Sequence, residues 1–197
     1  MRPTVLKLRE DAIIPTKNKN DAGYDLYAVW DSPIVIHKPS QIIMFPTGIK
    51  MRFPHTHVAL VKERGSTGIR NMQVRAGVVE GNFTGEYNVL LNNGNDFLKI
   101  IYVEDNWTWE DMLFALRENR FFPWTIEDDF EIVKDSLGRE ILSYLKSPFA
   151  YLYPQSKAIA QIVITNKEDW EFEEVNEDDF HSIDSDRGEG MLGSSGK

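Results

Sequence analysis

The chain has 197 residues, a formal net charge of −9, 42% hydrophobic and 12% aromatic residues, and no cysteine. That apolar content supports a packed core and excludes a wholly disordered chain, and the missing cysteines exclude disulfides, cysteine–metal sites and cysteine nucleophiles. The acidic balance argues against bulk electrostatic binding of nucleic acid, and no apolar run approaches the ~20 residues of a membrane span. The start is charged and alternating, with no apolar signal-type region. One domain of ordinary size with an appended module is expected, cytoplasmic, with neither nucleic-acid nor membrane partners.

In chain order, short alternating runs come first. Residues 4–8, 34–37, 42–45, 50–53 and 58–61 read as strands, punctuated by Pro, Gly, Asn and Asp. A further strand pair is expected at residues 77–79 and 87–91, with 81–85 as its turn. This pattern predicts a mainly β sandwich, jelly roll or barrel. Residues 97–154 differ. Thr108 and Asp111 form a capping-box pattern, and Trp109, Met112, Leu113 and Leu116 follow at helical spacing. A second, weaker helix is expected over 136–146, with Leu137, Ile141, Leu142 and Leu145 on one face. Strand character returns at 158–165. In the acidic stretch 168–179, the spacing of Trp170, Phe172 and Val175 predicts an edge strand or packed arm. The last sixteen residues hold four Gly and four Ser and are expected to pack poorly alone.

Three glycine-containing segments carry the chemistry. They are Ala22-Gly23-Tyr24-Asp25-Leu26, Arg64-Gly65-Ser66-Thr67-Gly68, and the run from Arg187 to Lys197. The last two combine a fixed cation, glycines and hydroxyls. Glycine lets backbone N–H groups approach an anion, hydroxyls add donors, and Arg grips phosphate oxygens in pairs. Each alone also fits an ordinary surface turn; two in one acidic chain point to a polyphosphate ligand. Neither has the layout of a P-loop. Residues 76–87 place Glu80 and Phe83 in a tight turn. His55 and His57 share a strand face but lack a third ligand at suitable spacing, so no histidine metal site is expected. Trp107, Trp109 and Trp124 are expected to form a small core of their own.

The order of these pieces resembles the homotrimeric dUTP diphosphatases (dUTPases), whose five short motifs match residues 22–26, 64–68, 76–92, 158–163 and 187–196. Residues 47–54 also look like the family's strand before its second motif. The resemblance implies a dUTPase-like jelly roll of β-clip type, with residues 1–96 and 155–181 as the β core. Residues 97–154 become a small α-containing insertion of the kind carried by phage-type members, and 182–197 an arm closing over the active site. It implies hydrolysis of dUTP to dUMP and pyrophosphate with Mg²⁺, in sites shared by three subunits. By the same resemblance Asp25 holds the metal through water. Arg64, Gly65, Ser66, Thr67 and Gly68 form the phosphate loop, and Gln161 faces the α-phosphate. Glu80 activates the attacking water. Gly77 and Val79 line the base and sugar site, and the Phe83 ring lies under the deoxyribose. Arg187 meets the charge of the leaving pyrophosphate, and Leu192, Gly193, Ser194 and Ser195 close the arm.

Several residues depart from the family pattern. Glu80 stands where the family has Asp, Phe83 where it has Tyr, and Gly65 where it has Ser. Leu192 replaces a base-stacking Phe. Two other readings compete with the dUTPase one. A relative acting on dCTP shares the fold but lacks the Gly/Ser-rich terminal motif. An interaction protein would use the scaffold through residues 97–154 to bind a protein partner. If the chain is phage-encoded, its compartment is the host cytoplasm.

Overall fold

The computed structural model describes residues 3–32, 34–118, 130–144 and 147–181. In chain order the strands are β1 (Thr4–Lys7), β2 (Tyr24–Leu26), β3 (Ile34–His37), β4 (Ile42–Pro46), β5 (Ile49–Arg52) and β6 (His57–Lys62). A single turn, α1 (Gly65–Gly68), follows, and then β7 (Met72–Arg75), β8 (Val78–Glu80), β9 (Asn88–Asn93) and β10 (Lys99–Val103). Next come α2 (Trp109–Glu118), β11 (Phe130–Lys134), β12 (Glu140–Tyr144), β13 (Ser147–Pro154), β14 (Ala160–Asn166) and α3 (Glu177–His181). The chain divides into two units, Met1–Lys167 and Glu168–Lys197.

Among the described residues of the first unit the strands form four sheets, ordered β1-β5, β11-β12-β13-β10-β3, β2-β14-β6-β8 and β4-β9-β7. Alternation decides which side chains enter the core. Along β9, Val89, Leu91 and Asn93 are buried while their neighbours are half-buried. Each apolar side chain taken fully from water contributes roughly 1.5–3 kcal/mol. The main core gathers Leu26, Phe45, Ile49, Leu91, Tyr102 and Ile159. β10 is buried on both faces. Ile100 and Tyr102 join the main core, whereas Ile101 joins a second cluster with Met112, Leu113, Phe130 and Leu142. β10 and β13 run parallel, with Ile100 opposite Tyr151 and Tyr102 opposite Tyr153. A parallel pair needs a long crossover, and α2, β11 and β12 lie in it. The segment set apart in the sequence therefore begins and ends on strands of the main core.

α2 starts where the capping pattern places it. The Thr108 N–H donates to Asp111 Oδ2 at 2.9 Å, and the Asp111 N–H donates back to Thr108 Oγ1 at 3.1 Å. Met112, Leu113 and Ala115 face inward, and Trp107 packs against the same cluster. Trp124 lies outside the described residues.

Three expectations are corrected. The strands near 77–79 and 87–91 do not pair with each other. β8 pairs with β6, Val79 opposite Ala59, and β9 pairs with β4 and β7. The glycines that resemble hairpin punctuation instead permit close backbone approach: a Cβ on Gly77 would lie 2.4 Å from the Val61 carbonyl oxygen. The helix expected over 136–146 is a hairpin. Asp135 Oδ1 accepts the N–H groups of Leu137 and Arg139, both at 2.9 Å, and Gly138 takes φ +73°. Leu137 points to solvent, while the consecutive Ile141 and Leu142 enter the two different cores, as a strand buried on both faces requires. In the second unit no strand forms among the described residues, and Trp170, Phe172 and Val175 are exposed in an extended stretch before α3. Three apolar side chains among carboxylates offer too little surface to fold that stretch on themselves.

His37 is fully buried on β3, where its Nε2 lies 2.7 Å from the Gln41 carbonyl and its Nδ1 3.3 Å from the Tyr102 hydroxyl. Burial holds its pKa below the usual 6.5, against the opposing pull of the Gln41 carbonyl. Above pH 6.5 the imidazole is neutral in folded and unfolded chains alike. Below it the unfolded chain takes up the proton first, so stability falls as pH drops through this window. Melting temperature should therefore decline from pH 7 to pH 5, and the decline should be shallower in His37→Gln. Equal slopes in the two proteins would remove His37 as the cause.

Candidate functional site

A cleft of about 610 Å³ opens where β2, α1 and β14 meet, lined among others by Asp21, Gly23, Asp25, Arg64, Ser66 and Gln161. The β2–β14 register sets Asp25 opposite Gln161. Gln161 Nε2 donates to the Glu63 carbonyl at 2.7 Å, which ties β14 to the start of the α1 loop. A Cβ on Gly23 would lie 2.6 Å from Gln161 Oε1, so a larger residue there would push the Gln161 amide aside.

α1 owes its shape to a hydroxyl. Thr67 is fully buried, accepts the Arg64 N–H at 2.8 Å and donates to the Arg64 carbonyl at 3.0 Å. Its hydroxyl is thus engaged inside the turn and absent from the cleft wall. Arg64 reaches across to Asp25 with two parallel hydrogen bonds, Nε to Oδ1 at 2.6 Å and Nη2 to Oδ2 at 2.9 Å. A third nitrogen, Nη1, lies 3.2 Å from Ser66 Oγ. A half-buried cation, a hydroxyl and a carboxylate thus converge beside a turn bordered by glycines. Such a set has the chemistry to accept an anion at Arg64 and the loop, and a hydrated cation at the carboxylate.

The cleft lining contains Asp25, Arg64, Gly65, Ser66 and Gln161, but not Gly77, Val79, Glu80 or Phe83. Gly77 immediately precedes β8, Val79 and Glu80 lie on it, and Phe83 lies in the turn after it. The Phe83 N–H closes that turn on the Glu80 carbonyl at 3.0 Å, and the Phe83 ring meets Tyr87 edge-on at 5.7 Å. Arg187, Leu192, Gly193, Ser194 and Ser195 lie outside the described residues. Sequence reading missed Asn18, Asn20 and Asp21, which also line the cleft. The Asn-Lys-Asn-Asp run ahead of Ala22 was a legible turn signal, since Asp21 Oδ2 accepts Asn18 Nδ2 at 2.9 Å. Behind the loop, Tyr153 is buried and its pKa is pushed up to about 12 by burial. Burial, with Arg70 and Arg64 nearby, lowers that of Lys157.

A mainly β fold whose cleft brings Arg64, a glycine-bordered turn and a carboxylate together fits a phosphate-handling enzyme. A family profile described as dUTPase matches residues 9–104. The deoxyuridine 5'-triphosphate nucleotidohydrolase of Treponema denticola is 34% identical over 99 residues, 48% of this chain and 68% of that protein. That of Leptospira interrogans is 30% identical over 105 residues, 51% of this chain and 72% of its own. Among solved structures, the dUTPase of Staphylococcus bacteriophage 80alpha with dUpNHpp superposes at TM-score 0.63 and 22% identity, covering 100% of this chain and 99% of that one. Phage dUTPases of that kind control transfer of virulence genes by a proto-oncogenic G protein-like mechanism. The dUTPase from phage phi11 of S. aureus, with a species-specific insert, superposes at 0.59 and 19% identity, over 90% and 97% of the two chains. This chain belongs to the dUTPase family, and its reaction is the hydrolysis of dUTP to dUMP and pyrophosphate.

Proposed function

We propose that dUTP enters with Mg²⁺ on its triphosphate, lies along α1, and is cleaved by water attack on the α-phosphorus. The reading rests on the meeting of Asp25, Arg64, Gly65, Ser66 and Gln161 in one cleft. On substrate arrival Arg64 exchanges Asp25 for phosphate oxygens, and Asp25, with Asp21 beside it in the cleft, would be the carboxylate that holds Mg²⁺ through water. The donor set suits this ion. Among the described residues no three His, Asp or Glu side chains gather into a metal cage, whereas the cleft offers Asp25, Asp21 and amide oxygens. Mg²⁺ keeps most of its waters and prefers substrate phosphate plus one or two carboxylates. When bound it would neutralise phosphate charge.

Glu80 takes the proton of the attacking water, the new P–O bond forms as the bond to the pyrophosphate oxygen breaks, and pyrophosphate leaves toward Arg187. Gln161 orients the α-phosphate. Gly77, Val79 and Phe83 receive the base and sugar, and Leu192, Gly193, Ser194 and Ser195 close over them. Because one chain's cleft lacks the β8 turn, a homotrimer supplies it from a neighbouring subunit. Residues 97–154 form the inserted part on this reading; the family match ends inside that segment, at residue 104, just after β10.

A protein partner is compatible with catalysis. A second groove of about 510 Å³ lies between β3 and α2, lined by Ile34, Trp107, Phe114, Ala115 and Glu118. No helix among the described residues is long and apolar enough to cross a membrane, and we place the protein in the cytoplasm.

The test is pyrophosphate release from dUTP, UTP, dCTP and dTTP, with Mg²⁺ and with EDTA. Release from dUTP alone, abolished by EDTA, is expected. Preference for dCTP would move the chain to the dCTP-acting relatives, and no release from any of the four would leave the interaction reading.

A further inference from the structure

The back of α1 is held by residues that belong to none of the five motifs. Arg139, in the turn between β11 and β12, donates Nη1 to the carbonyl of Ile69, the residue that ends α1. The same guanidinium is gripped by Asp135 and lies 5.0 Å from the centre of the Tyr151 ring, with 17% of the side chain exposed. Burial opposes the Asp135 charge, but the hydrogen bonds from Arg139 and from the backbone outweigh it, and its pKa falls below the usual carboxylate value. Arg70 repeats the arrangement one residue further on. It is 7% exposed, donates Nη1 to the Ser66 carbonyl at 2.6 Å, and sits 5.9 Å from the rings of Tyr151 and Tyr153. The Tyr153 hydroxyl donates to the Ala158 carbonyl at 2.7 Å, an oxygen that Arg64 Nη1 also reaches at 3.5 Å.

Such support has a physical reason. α1 is one turn of four residues, too short to sustain itself, and the last carbonyls of any helix need outside donors. Its glycines add little restraint: the space beside Gly65 is open, and the nearest atom to a Cβ on Gly68 would be 3.9 Å away. Two guanidinium groups therefore fix the carbonyl end of a loop whose other end carries Arg64 and Ser66.

We infer that Arg139 is a positioning residue for the triphosphate: by holding the Ile69 carbonyl it sets α1, and through α1 the aim of Arg64 and Ser66. This rests on the proposed use of α1 as the phosphate loop. It also couples the β11–β12 hairpin to the nucleotide, so ligation at α1 and order in that hairpin must support each other reciprocally.

The experiment compares the wild type with Arg139→Gln, Arg139→Ala and Arg139→Lys. Losing one charge-assisted hydrogen bond to the loop should raise KM for dUTP, and Kd for dUpNHpp and inorganic pyrophosphate, by about tenfold in the Gln and Ala variants. Values of kcat should stay within about threefold and Kd for dUMP within about twofold, because neither depends on the aim of Arg64 at the outer phosphates. Lys keeps a donor and should recover part of the loss. Equal weakening of dUMP and dUpNHpp, or unchanged KM in folded variants, overturns the inference. A wild type that fails to hydrolyse dUTP would instead overturn the proposed reaction, while pyrophosphate binding would still test Arg139. Should the variants fail to fold, wild-type hydrogen exchange decides. dUpNHpp, but not dUMP, should slow exchange in residues 130–144, and no difference between the two ligands overturns the coupling.

Discussion

Deleting residues 187–197 is expected to lower kcat for dUTP by about 10³-fold or more, the scale of losing an arginine that meets charge developing on a transferred phosphoryl group. The deletion removes Arg187 together with Ser194 and Ser195, which on the proposed reading are donors to the leaving pyrophosphate when its negative charge grows. The fold should survive it. Among the described residues, neither the core clusters nor the partly buried residues packed against them extend beyond Ile164. Melting temperature should therefore change little, and dUMP should still bind. Single-turnover rates on the truncated protein provide the check. A rate within tenfold of the full chain would move the leaving-group role to Arg64, the one cationic side chain lining the described cleft.

The second large effect belongs to Glu80. Its carboxylate is exposed at the end of β8, opposite Val58, and its carbonyl rather than its side chain closes the turn on Phe83. Glu80→Gln keeps shape and strand pairing while removing basicity. It should cost at least ~10²-fold in kcat and leave dUpNHpp affinity unchanged. Because the cleft of one chain holds Asp25 but not Glu80, mixing separately inactive Glu80→Gln and Asp25→Ala proteins should restore part of the activity. If the proposed homotrimer forms, mixed trimers contain some sites with both residues intact. No recovery after subunit exchange would mean that one chain supplies both residues to its own site.

Much of this was legible locally. The positions of β1 and of β3 to β6 follow from alternation and turn residues, whereas β2, only three residues long, carries too little alternation to be read as a strand. α2 follows from its Thr108–Asp111 cap and the Met112–Leu113 spacing, because a helix start is a contest among residues three apart. Residues 64–66 stood out as a candidate site before the structure placed them in the cleft, because Gly, Ser and Arg carry their chemistry with them. The errors share one cause: they are questions of partner choice. Nothing within residues 77–91 says that β8 leaves for β6 while β9 joins β4 and β7. The apolar spacing of Leu137, Ile141 and Leu142 serves a helix as well as a strand buried on both faces.

Composition and motif order by themselves determined a β-rich, cysteine-free, acidic chain with the ordered motifs of a dUTP-hydrolysing family. Only the tertiary structure decided that Arg64 rests on Asp25, that Thr67 builds the turn from within, and that Arg139 and Arg70 hold that turn from behind. These contacts join residues 39 to 70 positions apart, apart from those of Thr67 and Arg70 within the loop. A hydrogen bond across such a separation depends on where two backbones are brought by packing of the intervening strands. Local propensity carries no record of that placement, because it is decided by which buried faces meet.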